Sequence, residues 1–207
     1  MKFVTTSLLL ATLALGACSS LSYDDPDKVE TLTIDFGSTD LQELAGHMVQ
    51  SLVTSQSLNY IQKSGDDKRI ILFVGGVNNR TSEHIDTTGI TDSIKVPLLQ
   101  SGKFRLATSK QGQDELAEQV RFQQGEGRVD PAQAKAFGMQ VGADVILYGN
   151  LRSIEKAKGR NLEDLGYKKD DVWYQFTLEA VNIATGEVIW ADQKELRKTK
   201  KTGIFGK

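Results

Sequence analysis

Residues 79–86 (NRTSEHID) bring together the side-chain types that a serine hydrolase uses, including Ser82, His84 and Asp86. Hydrolysis by such groups needs a nucleophile, a base and an oxyanion hole that converge in space, and closeness along the chain does not provide that arrangement. The chain also contains no Gly-x-Ser-x-Gly motif. We therefore predict no catalytic residue and no enzymatic activity.

Metal and nucleotide chemistry are not supported either. A structural zinc site needs about four Cys or His ligands, and the three candidates, Cys18, His47 and His84, are too few and too far apart. Gly75 and Gly76 follow a predicted strand, but neither G-x-G-x-x-G nor a Walker lysine follows, so these glycines are interpreted as a turn. The formal charge of −2 provides no general field for nucleic acid. We expect no metal, no cofactor and no nucleic acid.

Cys18, the one cysteine of the chain, stands where an apolar N-terminal stretch ends. Residues 1–17 (MKFVTTSLLLATLALGA) have one Lys, a mostly apolar run and then small residues, which is the layout of a secretory signal. The run is too short to span a bilayer as a helix. Residues 15–18 (LGAC) resemble a bacterial lipobox, which implies a lipoprotein whose cysteine carries S-diacylglycerol and N-palmitoyl groups.

Ser19 follows the lipidated position and indicates the destination. In the sorting rule of Gram-negative lipoproteins, Asp at this position retains the protein in the inner membrane. Ser19 therefore implies an outer-membrane protein, anchored by lipid on the periplasmic side. Residues 18–40 are interpreted as the lipidated N-terminus with a short, flexible, acidic tether, and residues 29–36 alternate in a way that predicts an edge strand docked on the domain.

Hydrophobic periodicity predicts a globular domain over residues 41–198, followed by a basic tail over residues 199–207. Residues 194–207 hold six Lys or Arg and one Glu, which favours a solvated end or a contact with an anionic surface. Pro97 predicts a kink or a restart inside the second helix. Helices are predicted at 40–63, 88–100, 113–124 and 130–141, and strands at 69–77, 104–108, 144–154, 172–183 and from 188 onward, with a polar loop at 78–86 and a hairpin turn at 184–187. This order predicts a mixed sheet with helices packed on it.

The chain is similar to the LpoB family of lipoproteins that activate penicillin-binding proteins. The similarity covers the lipobox and nearly all of residues 41–198. It is carried by short motifs in a fixed order, at residues 77–81 (VNNRT), 83–87 (EHIDT), 98–105 (LLQSGKFR), 129–132 (VDPA), 140–144 (QVGAD), 147–151 (LYGNL), 185–186 (TG) and 190–192 (WAD).

This resemblance implies an α+β fold, a small mixed β-sheet flanked by helices, like the amino-terminal domain of TolB-like proteins. It also implies a monomer that binds the accessory domain of a bifunctional class A penicillin-binding protein and stimulates peptidoglycan synthesis, both glycan polymerisation and cross-linking. Such a role in cell-wall biogenesis and cell shape needs no chemistry by the activator. The better-known members have a longer, proline-rich tether, whereas this tether has the single Pro26, which implies a thinner periplasm or a differently placed partner.

Arg80, Glu83, His84 and Tyr174 are weak candidates for the partner contact, on a sheet face or a neighbouring loop. Two other classes of protein stay open. A structural lipoprotein of a secretion or surface-appendage complex would form stable rings. A periplasmic hydrolase acting on cell-wall material would show turnover that a His84→Ala substitution abolishes.

Overall fold

The computed structural model describes residues 25–30, 33–125, 142–159 and 168–203. The helices are α1 (Ser38–Thr54), α2 (Thr87–Gln100) and α3 (Lys110–Gly125), and a short 3₁₀ helix (Ser57–Tyr60) follows α1. The strands are β1 (Ile70–Arg80), β2 (Phe104–Leu106), β3 (Val145–Lys158), β4 (Lys168–Asn182) and β5 (Val188–Thr202). Within these residues, no helix is long and apolar enough to cross a membrane.

The five strands form one mixed sheet in the order β2-β1-β3-β4-β5. Strand β1 runs parallel to both β2 and β3, whereas β3, β4 and β5 form an antiparallel meander. The parallel pair β1–β2 is connected through α2, as a parallel pair requires a crossover. The tight turn between β4 and β5 contains Gly186 at φ +75°, a backbone conformation that glycine adopts without steric cost.

The core lies on one side of the sheet, the inner face, beneath α1 and α2. Leu44, Met48 and Leu52 recur every four residues on α1, and Ile90, Ile94 and Leu98 do so on α2, so each helix buries one stripe. Residues four apart lie on the same face of a helix, and alternate residues of a strand lie on the same face of a sheet. The two helical stripes therefore pack against every second residue of the strands. The fully buried strand residues beneath them are Leu72, Val145, Leu147, Leu151, Phe176 and Ala180.

The predicted fold class is confirmed, with an α+β domain and a mixed sheet flanked by helices. The predicted helix from Asp40 to Lys63 is wrong at both ends. It begins at Ser38 with Gly37 as its N-cap, and Asp40 accepts the Gly37 amide (2.8 Å) from inside the first turn. It ends at Thr54, because Ser55 is extended and the Thr54 hydroxyl donates back to the Gln50 carbonyl (2.8 Å).

Strand β1 continues to Arg80, so residues 78–80 belong to the sheet and not to the predicted polar loop. Gly75 and Gly76 make no turn; the register of β1 on β3 shifts between Val74 and Val77, which marks a bulge at the two glycines. A Cβ on Gly75 would lie 2.7 Å from the Leu147 carbonyl oxygen, so the close approach of β3 requires glycine here.

Four further predictions have different outcomes. Helix α2 continues through Pro97 to Gln100 without a restart. Strand β5 extends to Thr202, so residues 199–202 of the predicted basic tail lie in the sheet. Residues 29–30 and 33–36 form no strand, so the predicted edge strand is absent from this part of the chain. The predicted helix at 130–141 lies outside the described residues.

Candidate interaction surface

Glu83 lies at the centre of a polar cluster just after β1. Its carboxylate accepts a hydrogen bond from the Phe36 amide (2.8 Å) and a short one from the Tyr174 hydroxyl. Tyr174 belongs to the buried side of β4 and is 0% exposed, and its hydroxyl also lies 3.3 Å from the Ile34 carbonyl oxygen. Burial raises the pKa of Tyr174 well above its usual value, and the Glu83 carboxylate raises it further.

The residues before α1 pack on this cluster, and we call residues 33–36 the docked segment. The ring of Phe36 meets the ring of Tyr174 edge to face, with centroids 5.6 Å apart. Lys198 of β5 donates to the Asp35 carbonyl (2.6 Å) and to the Asp40 carboxylate (2.8 Å). The second half of the predicted tether therefore docks on the domain as expected, but through side chains of β4, β5 and the loop after β1, and not as a strand.

The four candidate contact residues fall into two groups. Tyr174 is fully buried and Glu83 is partly buried, and both hold the docked segment, so their geometry fits a structural role and not a direct partner contact. Arg80, the last residue of β1, and His84, in the loop that follows, are exposed. The two exposed residues remain candidates for contact with a partner.

The loop that carries His84 is fixed by short-range hydrogen bonds. The Asn79 side chain donates to the Glu83 carbonyl (2.8 Å) and accepts from the Thr81 amide (3.0 Å). At its end, Asp86 caps α2 by accepting the Thr88 amide (2.9 Å). This loop is therefore a defined surface on a rigid sheet end, which suits recognition by a partner.

The hydrolase alternative gains no support from this loop. Ser82 donates its hydroxyl to Glu155 of β3, and His84 is exposed to solvent. The second histidine, His47 of α1, pairs with Asp192 of β5 (3.1 Å) and joins helix to sheet. Burial alone would raise the pKa of Asp192, but hydrogen bonds from Ser51 and from the Gln193 amide, together with His47, lower it on balance. No group of three possible metal ligands occurs among the residues that the structure describes.

The outer face of the sheet, opposite α1 and α2, carries side chains that motif searches do not identify. On β3, Tyr148, Arg152 and Ile154 are exposed, and the Tyr148 hydroxyl donates to Glu179 of β4 (2.8 Å). Successive side chains of a strand point to opposite faces of the sheet, so the residues of β3 with even numbers lie opposite the buried Leu147 and Leu151. This alternation is the sequence pattern that indicates the outer face. Arg80 and Arg152 are register partners, so this face joins the exposed end of β1.

A fixed, exposed polar loop at the end of a rigid sheet is suited to contact with a partner. Residues 40–196 match the model of the family described as peptidoglycan-synthase activator LpoB. The chain therefore belongs to the LpoB family, which is a family of activators.

Two curated relatives named penicillin-binding protein activator LpoB are similar to this chain. The one from Klebsiella pneumoniae subsp. pneumoniae is 25% identical over 134 residues, covering 63% of this chain and 53% of the relative. The one from Cronobacter turicensis is 24% identical over 144 residues, covering 68% and 56%. The matched part thus spans about half the length of these relatives.

Solved structures of the family are also similar. The C-terminal domain of LpoB from Salmonella enterica has a TM-score of 0.39 at 21% identity, covering 75% of this chain and 94% of that one. The solution structure of Escherichia coli LpoB has a TM-score of 0.36 at 16% identity, covering 91% and 87%.

Proposed function

We propose that this chain is a non-enzymatic outer-membrane lipoprotein that binds a bifunctional class A penicillin-binding protein and stimulates its synthesis of peptidoglycan. The family match over residues 40–196 is the observation that carries this proposal. The names of the two relatives, penicillin-binding protein activators, support the same partner class.

Activation without chemistry is a shift in the population of synthase conformations. A ligand moves such an equilibrium only by binding one state more tightly than the other. A tenfold shift towards the active state needs about 1.4 kcal/mol of differential binding. One small surface of this domain is sufficient to supply that difference.

The proposed contact is the exposed end of β1 with the loop that follows it, represented by Arg80 and His84. The docked segment supports this surface from behind, because Glu83 in the same loop accepts the Phe36 amide and the Tyr174 hydroxyl. In this proposal Glu83 and Tyr174 are positioning residues, and Arg80 and His84 touch the synthase.

The proposed organisation of the chain follows the sequence. Residues 1–17 are removed as a signal, Cys18 carries the lipid, and residues 18–40 connect it to the domain at 41–198, with residues 199–207 at the C-terminal end. Because residues 33–36 contact β4, β5 and the loop after β1, the free tether is shorter than its sequence length suggests. From Cys18 to Thr33 it reaches at most about 50 Å when fully extended.

Direct binding to a purified class A synthase of the same bacterium tests the contact. Arg80→Ala is expected to weaken binding at least severalfold, because it removes a charged group from the proposed surface. Arg105→Ala is the matched control, since Arg105 is at the opposite end of the sheet, where β2 pairs with the start of β1. Equal affinities for both variants and the wild type would exclude this surface.

A further inference from the structure

Beyond its pairing with β1, the meander projects as an arm with a strong positive charge. The last register pair of β1 with β3 is Arg80 with Arg152, whereas β3, β4 and β5 remain paired up to Lys158 with Lys169 and Lys168 with Thr202. We call residues 153–158, 168–173 and 197–202 the arm. It holds eight Lys or Arg and three Asp or Glu, a net formal charge of +5 in a chain of net charge −2.

This charge is concentrated on one side of the arm. Strand register places five basic residues on the outer face and only one acid, Asp171, which is engaged by Arg197 and by the Thr199 hydroxyl (2.8 Å). The inner face has three basic residues and two acids, and Lys198 there is bound to Asp40 and to the docked segment. The five basic residues of the outer face, called here the basic face, are Lys156, Lys158, Lys169, Arg197 and Lys201.

Apolar side chains border the basic face at the base of the arm. Ile154 is 50% exposed, and Trp173, its register partner on β4, is partly exposed. Together with Lys156, Asp171 and Arg197 they line an open groove of about 280 Å³. A cationic face next to an exposed aliphatic residue and a Trp suits the boundary of an anionic bilayer, where indole rings and lysine stems lie at the headgroup level.

The attachment of the chain brings a bilayer within reach of the arm. The docked segment crosses the inner face at the base of the arm, where Lys198 holds the Asp35 carbonyl. The tether leads back from there to Cys18, which lies at most about 50 Å away along the chain. A chain lipidated at Cys18 therefore keeps this arm close to the anchoring membrane at high effective concentration.

We propose that the basic face, with Ile154 and Trp173, binds the anionic lipid surface of the membrane in which the chain is anchored. This inference rests on the lipid anchor in the proposed function. Binding holds the domain flat against that membrane, and detachment frees it to reach a synthase, so the lipid composition sets the fraction of protein available for activation.

Trp173 reports this contact in the native lipoprotein. The chain has two tryptophans, and Trp190 is in the core, 8% exposed. Quenching of tryptophan fluorescence by brominated lipid therefore reports the contact of Trp173 with the bilayer. The mature lipoprotein is reconstituted into vesicles of phosphatidylcholine alone or with about one third phosphatidylglycerol. We expect quenching in the mixed vesicles only, and its loss in 1 M salt, where the Debye length is about 3 Å.

A matched pair of double variants tests the face. Lys169→Gln with Lys201→Gln removes two charges from the basic face, and Lys168→Gln with Lys200→Gln removes two from the inner face of the same strands. At a contribution of about 1 kcal/mol per lysine, the first pair lowers the ratio of bound to unbound domain about thirtyfold, and the second pair changes it much less.

Two results would overturn the inference. Absence of quenching in the mixed vesicles would show that the arm does not bind anionic lipid. If the two double variants lost the same fraction of quenching, attraction of the domain to lipid would depend on net charge and not on the basic face. Stimulation of the synthase in detergent, measured with the same preparations, separates a failure of this inference from a failure of the proposed function.

Discussion

Removing the Tyr174 hydroxyl is the sharpest test of how the docked segment is held. Tyr174→Phe keeps the ring that meets Phe36 edge to face and deletes the group that donates to Glu83. A hydrogen bond to a charged group contributes about 1.5–3 kcal/mol, so we expect the free energy of unfolding to fall by about 2 kcal/mol at neutral pH. For a domain of this size that corresponds to a melting temperature lower by about 4–8 °C.

The same substitution predicts a specific dependence on alkaline pH. Because the folded protein raises the pKa of Tyr174, the folded state keeps this proton when the unfolded state begins to lose it, at about pH 10. The contribution of Tyr174 is therefore complete below pH 10 and decreases as pH rises, by about 1.4 kcal/mol per pH unit. Tyr174→Phe removes this decrease, so the two proteins become closer in stability above pH 10.

Urea unfolding of both proteins, followed by circular dichroism at pH 7 and at two values above pH 10, measures both effects. Hydrogen exchange at the Phe36 amide, which Glu83 accepts, reports the docked segment itself. Equal stability at pH 7 would refute the proposed role of the hydroxyl. If the difference in free energy of unfolding between the two proteins did not change with pH above pH 10, it would contradict a buried Tyr174 that stays neutral in the folded state.

Two other substitutions test the packing of the sheet and of the docked segment. Gly75→Ala is expected to destabilise the domain by about 1–3 kcal/mol in urea unfolding, because its Cβ would lie 2.7 Å from the Leu147 carbonyl oxygen. Gly76→Ala has no atom within 4 Å of the new Cβ and serves as the control; equal effects would contradict the close approach. Lys198→Ala leaves the Asp40 carboxylate, whose side chain is 10% exposed, without its cation, and a loss of about 3 kcal/mol is expected by the same measurement. A decrease in the free energy of unfolding of less than about 0.5 kcal/mol, as for a surface ion pair, would contradict the burial of the Asp40 carboxylate.

The helices and strands were predictable in segments where the apolar residues follow a single periodicity. The four-residue spacing of Leu44, Met48 and Leu52 identified α1, and the alternation of β4 identified a half-buried strand. The end of α1 was missed because Thr54 and Ser55 stop it through local hydrogen bonding, which hydrophobic spacing does not report. Two adjacent glycines, Gly75 and Gly76, favour a turn when only the sequence is considered. In the structure they form a bulge where β1 pairs with the neighbouring strand β3.

The candidate site was predictable only in part. The motif at residues 79–86 directed attention to the loop after β1, but no local pattern shows that Glu83 binds Tyr174, since 91 positions separate them. Tyr174 also contacts the docked segment, which the alternation of residues 29–36 predicted to be an edge strand and not a segment held through side chains. The charge of residues 194–202 was visible in the sequence, whereas its division between two faces depends on strand register.

Glycan polymerisation by a class A synthase of the same bacterium, measured from lipid II with and without this protein, is the decisive experiment for the proposed activator function. We expect the protein to accelerate the synthase and, without synthase, to consume no lipid II and to cleave no glycan. An unchanged rate at saturating protein, or turnover by the protein alone, would contradict its assignment as a non-enzymatic activator.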